Sequence, residues 1–294
     1  NNYDDTIKVI REHPYMQLKE DNFASLKINW NDKVSNLKET ADEINIGLDS
    51  IVFFDDDPVN REYVRINLPQ VQTIELPQDP SEFANILKHL NEFSVLKITQ
   101  EDQQRGKMYA EQRKRTVLEK SAPDLEGFLK QLDLRVLIKI ADDFTIPRIS
   151  QLTLKTNQFN LTTKRYQESD IKKFVQDKDY LVGCAQVEDK FGDNGITGVF
   201  IVNKKNPKEW YLDTFLLSCR VMGREVEKGI LSYVIGKAKD SGAQQLRAQF
   251  VPTMKNKPIE DLLPKCGFKK ESDSWVYSVN VPFEIPNCLT VSAE

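Results

Sequence analysis

Residues 47–76 read GLDSIVFFDDDPVNREYVRINLPQVQTIEL. The apolar run Ile51-Val52-Phe53-Phe54 is too short for a helix and rich in β-formers, so it predicts a buried parallel strand. Three carboxylates, Asp55, Asp56 and Asp57, follow at once, and a helix begins near Pro58. Ligands of open α/β sheets sit at the carboxyl ends of strands. A strand that delivers three carboxylates there puts hard oxygen ligands where Mg²⁺ would bridge to a phosphate. The same residues also fit a solvated acidic turn in which one aspartate caps the helix. Both readings stand at this point.

Upstream, Lys33 opens a helix whose apolar positions Val34, Leu37, Ala41 and Ile44 recur at helical spacing, with Gly47 as its expected stop. Its ammonium would reach a phosphate at the acidic strand end. Residues 4–12 read as another helix. Downstream, prolines at 69, 77 and 80 mark the way out of this unit, and residues 99–120 read as a long charged connecting helix. From about residue 122 the pattern changes to short alternating runs near 134–140, 180–188, 196–202, 210–217 and 245–251, several expected as antiparallel neighbours. A helix at 224–240 carries Val226, Ile230, Val234 and Ala238 on one face, with Gly242 past its end. The reading is an α/β chain. A partial parallel sheet occupies residues 1–120 and an α+β mixed-sheet domain residues 121–281. The proline-bearing residues 282–294 are expected to be a tail or a linker to another domain.

Bulk properties narrow the chemistry. A length of 294 residues suggests two domains, and a net charge of −4 with pI near 5.5 argues against nucleic-acid binding, which needs a basic face. No apolar run is long enough to span a bilayer and no leader is recognisable, so a cytoplasmic protein is expected. The four cysteines, Cys184, Cys219, Cys266 and Cys288, lack the close spacing of a zinc site. The two histidines are His13 and His89. Chemistry built within the C-terminal two-thirds therefore runs without an imidazole base.

Residues 210–224 compensate for that lack. A strand over 210–217, a turn over 218–224 and the following helix form a natural anion cradle, with Arg220, Gly223 and Arg224 in the turn. Cys219 sits among these cations, where a thiolate would be favoured and could act as nucleophile. A small cysteine buried at a strand end is the alternative. Cys266 reads as packing.

Several of these segments resemble FkbH-like proteins, in which a HAD phosphatase domain is fused to a GNAT-like acyltransferase domain. Residues 47–76 and NFASLKINWNDKVSNL at 22–37 match the phosphatase motifs. TNQFNLTTKRY at 156–166, KFGD at 190–193, the stretch 213–224 and Pro252-Thr253-x-Lys255-Asn256 match in order along the second domain. Arg220-x-x-Gly223 is similar to the start of the GNAT pyrophosphate loop.

The resemblance implies Mg²⁺ on Asp55 and Asp56 with support from Asp57, and phosphate binding by Lys33. It also implies an acyl- or pantetheine-binding set of Arg220, Gly223, Arg224, Asn157, Asn160, Thr162, Asp193, Lys255 and Asn256. The implied activity takes the glyceryl group of 1,3-bisphosphoglycerate, dephosphorylates it and loads it, through Cys219, onto the phosphopantetheine of an acyl carrier protein in polyketide biosynthesis. The asparagine-rich stretch also fits a hydrogen-bonded structural loop, and residues 191–193 a plain turn.

Four departures stand out. Asp57 replaces a more usual asparagine, Glu225 a glycine or alanine, and Leu263 a tyrosine. The nucleophile motif of the phosphatase, Asp-x-Asp-x-Thr/Val, does not occur in these residues, and the expectation is that the parent carries it upstream. A carboxylate at 225 would repel pyrophosphate, which favours a carrier-bound arm over free coenzyme A. Competing expectations are a coenzyme A-dependent acyltransferase with a structural phosphatase remnant, and a non-catalytic docking module of a synthase.

Overall fold

In the computed structural model, which describes residues 2–44, 46–94 and 100–294, the apolar run of the acidic segment becomes β1 (Val52–Phe53). It pairs in parallel with β2 (Gln72–Thr73), with Val52 opposite Gln72 and Phe53 opposite Thr73. The chain divides into two units, Asn1–Ser121 and Ala122–Glu294.

The first unit holds α1 (Tyr3–Glu12), α2 (Lys33–Ile44), α3 (Pro58–Asn67), α4 (Phe83–Lys88) and α5 (Gln100–Ser121). Its small core joins Val34 of α2, Phe53 of β1, Val64 and Leu68 around α3, and Val71 before β2. Burying each such aliphatic side chain is worth ~1.5–3 kcal/mol, enough to fix α3 behind the acidic turn. Gly47 does not stop α2 as expected. It has φ −71°, an ordinary conformation, and starts a short 3-10 turn at Leu48–Ser50, while the Ile46 N–H closes back on the Ala41 carbonyl at 3.0 Å. The helix expected over 99–120 is α5, whose expected first residue, Thr99, lies outside the described residues. It belongs to the first unit: Ala110 is buried, and the Arg113 guanidinium donates to the carbonyls of Glu20 and Phe23, each at 3.4 Å.

In the second unit, α6 (Leu125–Leu132), α7 (Ile146–Lys155), α8 (Glu168–Gln176), α9 (Val226–Asp240) and α10 (Leu262–Lys265) accompany eight strands. These are β3 (Leu134–Ile140), β4 (Tyr180–Asp189), β5 (Gly192–Asn203), β6 (Glu209–Leu217), β7 (Gln245–Ala248), β8 (Lys269–Glu271), β9 (Ser274–Ser278) and β10 (Leu289–Ala293). They form one sheet in the order β10-β3-β4-β5-β6-β7-β9-β8. The pairs β10/β3 and β6/β7 are parallel and the others antiparallel. This is the α+β mixed sheet expected from the alternating runs.

Both faces are covered. Ile146, Ile149, Leu152 and Ile171 of α7 and α8 pack with Val182, Cys184, Val199, Ile201 and Leu216 of the sheet. On the other face α9 approaches closely enough that a Cβ on Gly198 would lie 2.5 Å from Ile230 Cδ1, so a side chain there would have to displace Ile230. The tail beyond Val281 is not a linker throughout, since residues 289–293 are β10, in register with β3 from Leu289↔Leu134 to Ala293↔Ile138. No helix among the described residues is long and apolar enough to cross a membrane.

Candidate functional site

The first unit presents the acidic turn at the carboxyl end of β1. The Asp55 side chain is 9% exposed, and its Oδ2 lies 3.3 Å from Lys33 Nζ at the start of α2. Its Oδ1 accepts from the Asp57 N–H at 3.0 Å and from Asn60 Nδ2 at 3.2 Å. Lysine and aspartate, distant in sequence, therefore meet. Asp57 instead caps α3, its Oδ1 accepting from the Val59 N–H at 2.8 Å. This is the capping role left open in the sequence. Asp56 is exposed. Among the described residues no group of three His, Cys, Asp or Glu side chains is gathered as a ligand set. Asp55 and Asp56 still fit an oxygen-seeking cation: adjacent carboxylates at a strand end, their backbone anchored from behind.

Sequence reading missed that anchor. Arg61, buried on α3, donates through Nη1 to the carbonyls of Asp55 at 2.8 Å and Asp56 at 3.0 Å, and its Nη2 pairs with Glu75 at 3.3 Å. It fixes the backbone from which both carboxylates project. The only available signal was an arginine one turn into a helix that follows the acidic run.

The second candidate lies at the end of β6. Cys219 is exposed, whereas Cys184 and Cys266 are buried and their thiols pushed up to about 12 by desolvation. A single 3-10 turn, Cys219–Val221, is capped by Ser218, and Arg220 Nε donates to Ser218 Oγ at 3.4 Å. Gly223 takes φ +73° with open space where a Cβ would stand, a left-handed corner suited to glycine. Arg224 does not face an anion site. It is buried, with Nη1 3.6 Å from Asp189 Oδ2 at the end of β4. Asp189 Oδ1 also accepts from the Phe191 N–H at 2.9 Å, so the pair ties the Cys219 turn to the β4–β5 hairpin. The helix begins at Val226 rather than at 224, because Glu225 adopts φ +60° and its carboxylate pairs with Lys228 at 2.7 Å.

The expected amide donors are committed elsewhere. Fully buried Asn160 uses Oδ1 to accept from Thr163 N–H at 2.9 Å, and Nδ2 to donate to the Thr156 carbonyl at 3.2 Å. Asn256, also fully buried, spans the carbonyls of Asn160 and Val251 at 3.0 and 2.9 Å. Thr162 Oγ1 donates to the Asp213 carbonyl at 2.9 Å, and Asn157 accepts from Arg165. Asp193 stabilises its own hairpin, accepting from Gln186 Nε2 at 2.7 Å and the Gly195 N–H at 2.6 Å, the plain-turn role. Lys255 is exposed. These contacts fit the structural-loop reading, and Cys219, Arg220, Gly223 and Lys255 remain accessible.

A polar cluster not singled out beforehand surrounds Asp213, at the irregularity between β5 and β6. Its carboxylate accepts from Tyr166 at 2.8 Å, from Thr214 Oγ1 at 3.0 Å and from Lys164. Burial and this carboxylate raise the Tyr166 phenol pKa, so it remains a proton donor.

No protein-family profile matches the chain, and no curated protein matches it. Solved structures do. The N-terminal part of BF1531 from Bacteroides fragilis, described as containing a phosphatase domain complexed with Mg, is 37% identical over 33% of this chain and 26% of its own, with TM-score 0.32. An IAA acetyltransferase from Bacillus cereus ATCC 14579 is 20% identical over 47% of this chain and 79% of its own, with TM-score 0.35. YncA from Salmonella typhimurium, a putative acetyltransferase solved with acetyl-CoA, is 13% identical over 52% of this chain and 99% of its own, with TM-score 0.38. The chain thus spans about a quarter of the first neighbour's length.

Proposed function

We propose that the chain is part of an FkbH-like acyltransferase-phosphatase that forms a glyceryl thioester on Cys219 and passes it to the phosphopantetheine thiol of an acyl carrier protein. The carrying observation is an exposed Cys219 at the end of a buried strand, beside Ser218 and Arg220. The thiolate attacks the acyl-phosphate carbon of 1,3-bisphosphoglycerate; a C–S bond forms, the C–O bond to phosphate breaks, and inorganic phosphate leaves. The remaining phosphate ester is hydrolysed, water supplying the oxygen and proton. The carrier thiolate then displaces the Cys219 thiolate and takes the acyl group.

Lys33 and the acidic turn are the residues suited to handle the phosphate ester. Asp55 and Asp56 would hold Mg²⁺, which when bound neutralises phosphate charge. Lys33 supplies a positive charge and Arg61 keeps the two carboxylate backbones in place.

The parent protein, incubated with 1,3-bisphosphoglycerate and Mg²⁺, should gain a hydroxylamine-labile acyl adduct that peptide mapping places on Cys219. The adduct should vanish in Cys219→Ala. No adduct, or one that survives the substitution, overturns the proposal.

A further inference from the structure

We infer that residues 157–163 are a specificity-determining element: they complete the sheet beside β6 and so exclude coenzyme A and other extended amide ligands from that edge. The inference rests on the proposed acyl transfer only for the route it implies. β6 and β7 pair from Glu209↔Gln245 to Leu212↔Ala248, while β6 runs on to Leu217. Beyond the pairing, an edge of N–H and carbonyl groups would lie open to any extended chain carrying amides. Such ligands bind by adding a strand, with main-chain hydrogen bonds giving the affinity. A pantetheine arm, with its two amides, is of this kind.

That edge is already used by the protein itself. The Leu161 N–H donates to the Phe215 carbonyl at 3.1 Å, and the Leu217 N–H donates to the Phe159 carbonyl at 3.0 Å, with Asn160 bridging antiparallel to Leu216. On the far side the Val251 N–H donates to the Leu161 carbonyl at 2.8 Å. The inserted segment, bridged to β6 at Asn160, therefore joins β6 to the segment that leaves β7. Asn256 fastens it through the carbonyls of Asn160 and Val251, and Phe159 and Leu161 are 4% and 1% exposed. Admitting a ligand would require breaking these bonds and exposing both side chains. Cys219 lies two residues past Leu217, outside the closed edge. An acyl group thus enters and leaves at the exposed turn, which suits a thiol presented by another protein and not a cofactor threaded along the sheet.

Calorimetry of the full chain with coenzyme A, alongside hydrogen exchange of the Leu217 and Val251 amides, tests the inference. The expected result is no saturable heat at ~1 mM ligand and unchanged protection of both amides. Saturable binding with lost protection overturns it by showing that the inserted segment is displaced; saturable binding with protection kept supports the closed edge and places the cofactor elsewhere. In Asn256→Ala both amides should exchange ~10-fold faster, and unchanged exchange would remove Asn256 as the fastener. None of these measurements uses the acyl donor, so a failed acylation of Cys219 leaves them interpretable.

Discussion

At the scale of single residues, solvent access separates the four thiols. Cys219 is exposed and Cys288 partly so, while Cys184 and Cys266 lie in the core. Only a thiolate reacts readily. At pH 8 a group pushed up to about 12 is almost wholly protonated, and burial bars the reagent as well. Brief iodoacetamide treatment of the folded protein should therefore label Cys219 first, and Cys184 and Cys266 only after denaturation, as read by peptide mass mapping. Early labelling of Cys184 would contradict the packing under α7. The acidic turn shows the same dependence on surroundings. Asp55 and Asp57 flank the same Asp56 in sequence, but one faces Lys33 and the other caps α3.

At the scale of elements, the turn from β6 into α9 carries a strained residue. Glu225 holds φ +60°, a region that costs a side-chain-bearing residue ~1–2 kcal/mol. Its pair with Lys228 is about one-third exposed and worth little. Glu225→Gly should raise stability by about 1 kcal/mol in urea denaturation, whereas Glu225→Ala keeps the strain, loses the pair and gains nothing. Equal effects of the two changes would mean that the backbone at 225 carries no strain. The strand–turn–helix itself was legible from β-formers followed by helical apolar spacing. The inward turn of Arg224 was not, because its partner Asp189 is on another strand.

At the scale of the whole molecule, one edge of the larger sheet decides what residues 289–293 do. Residues 289–293 look like linker in sequence, with prolines at 282 and 286 just before them. Yet they pair over five positions with β3, and Val291 lies against Gly229 of α9. Removing residues 289–294 should lower the urea midpoint of the second unit and speed amide exchange along β3. A linker could be removed without either effect.

The sequence by itself determined the two fold textures, the parallel strand ahead of three aspartates, the start of α2 and the strand–turn–helix that presents Cys219. Each of these is written in local periodicity and short-range punctuation, which one segment carries alone. Only the tertiary structure decided that Arg61 anchors the acidic turn, that Asn160 and Asn256 serve the backbone, and that a short inserted segment closes the edge of β6. Those outcomes depend on which polar groups become buried together, and a buried amide must find a partner wherever the fold places one.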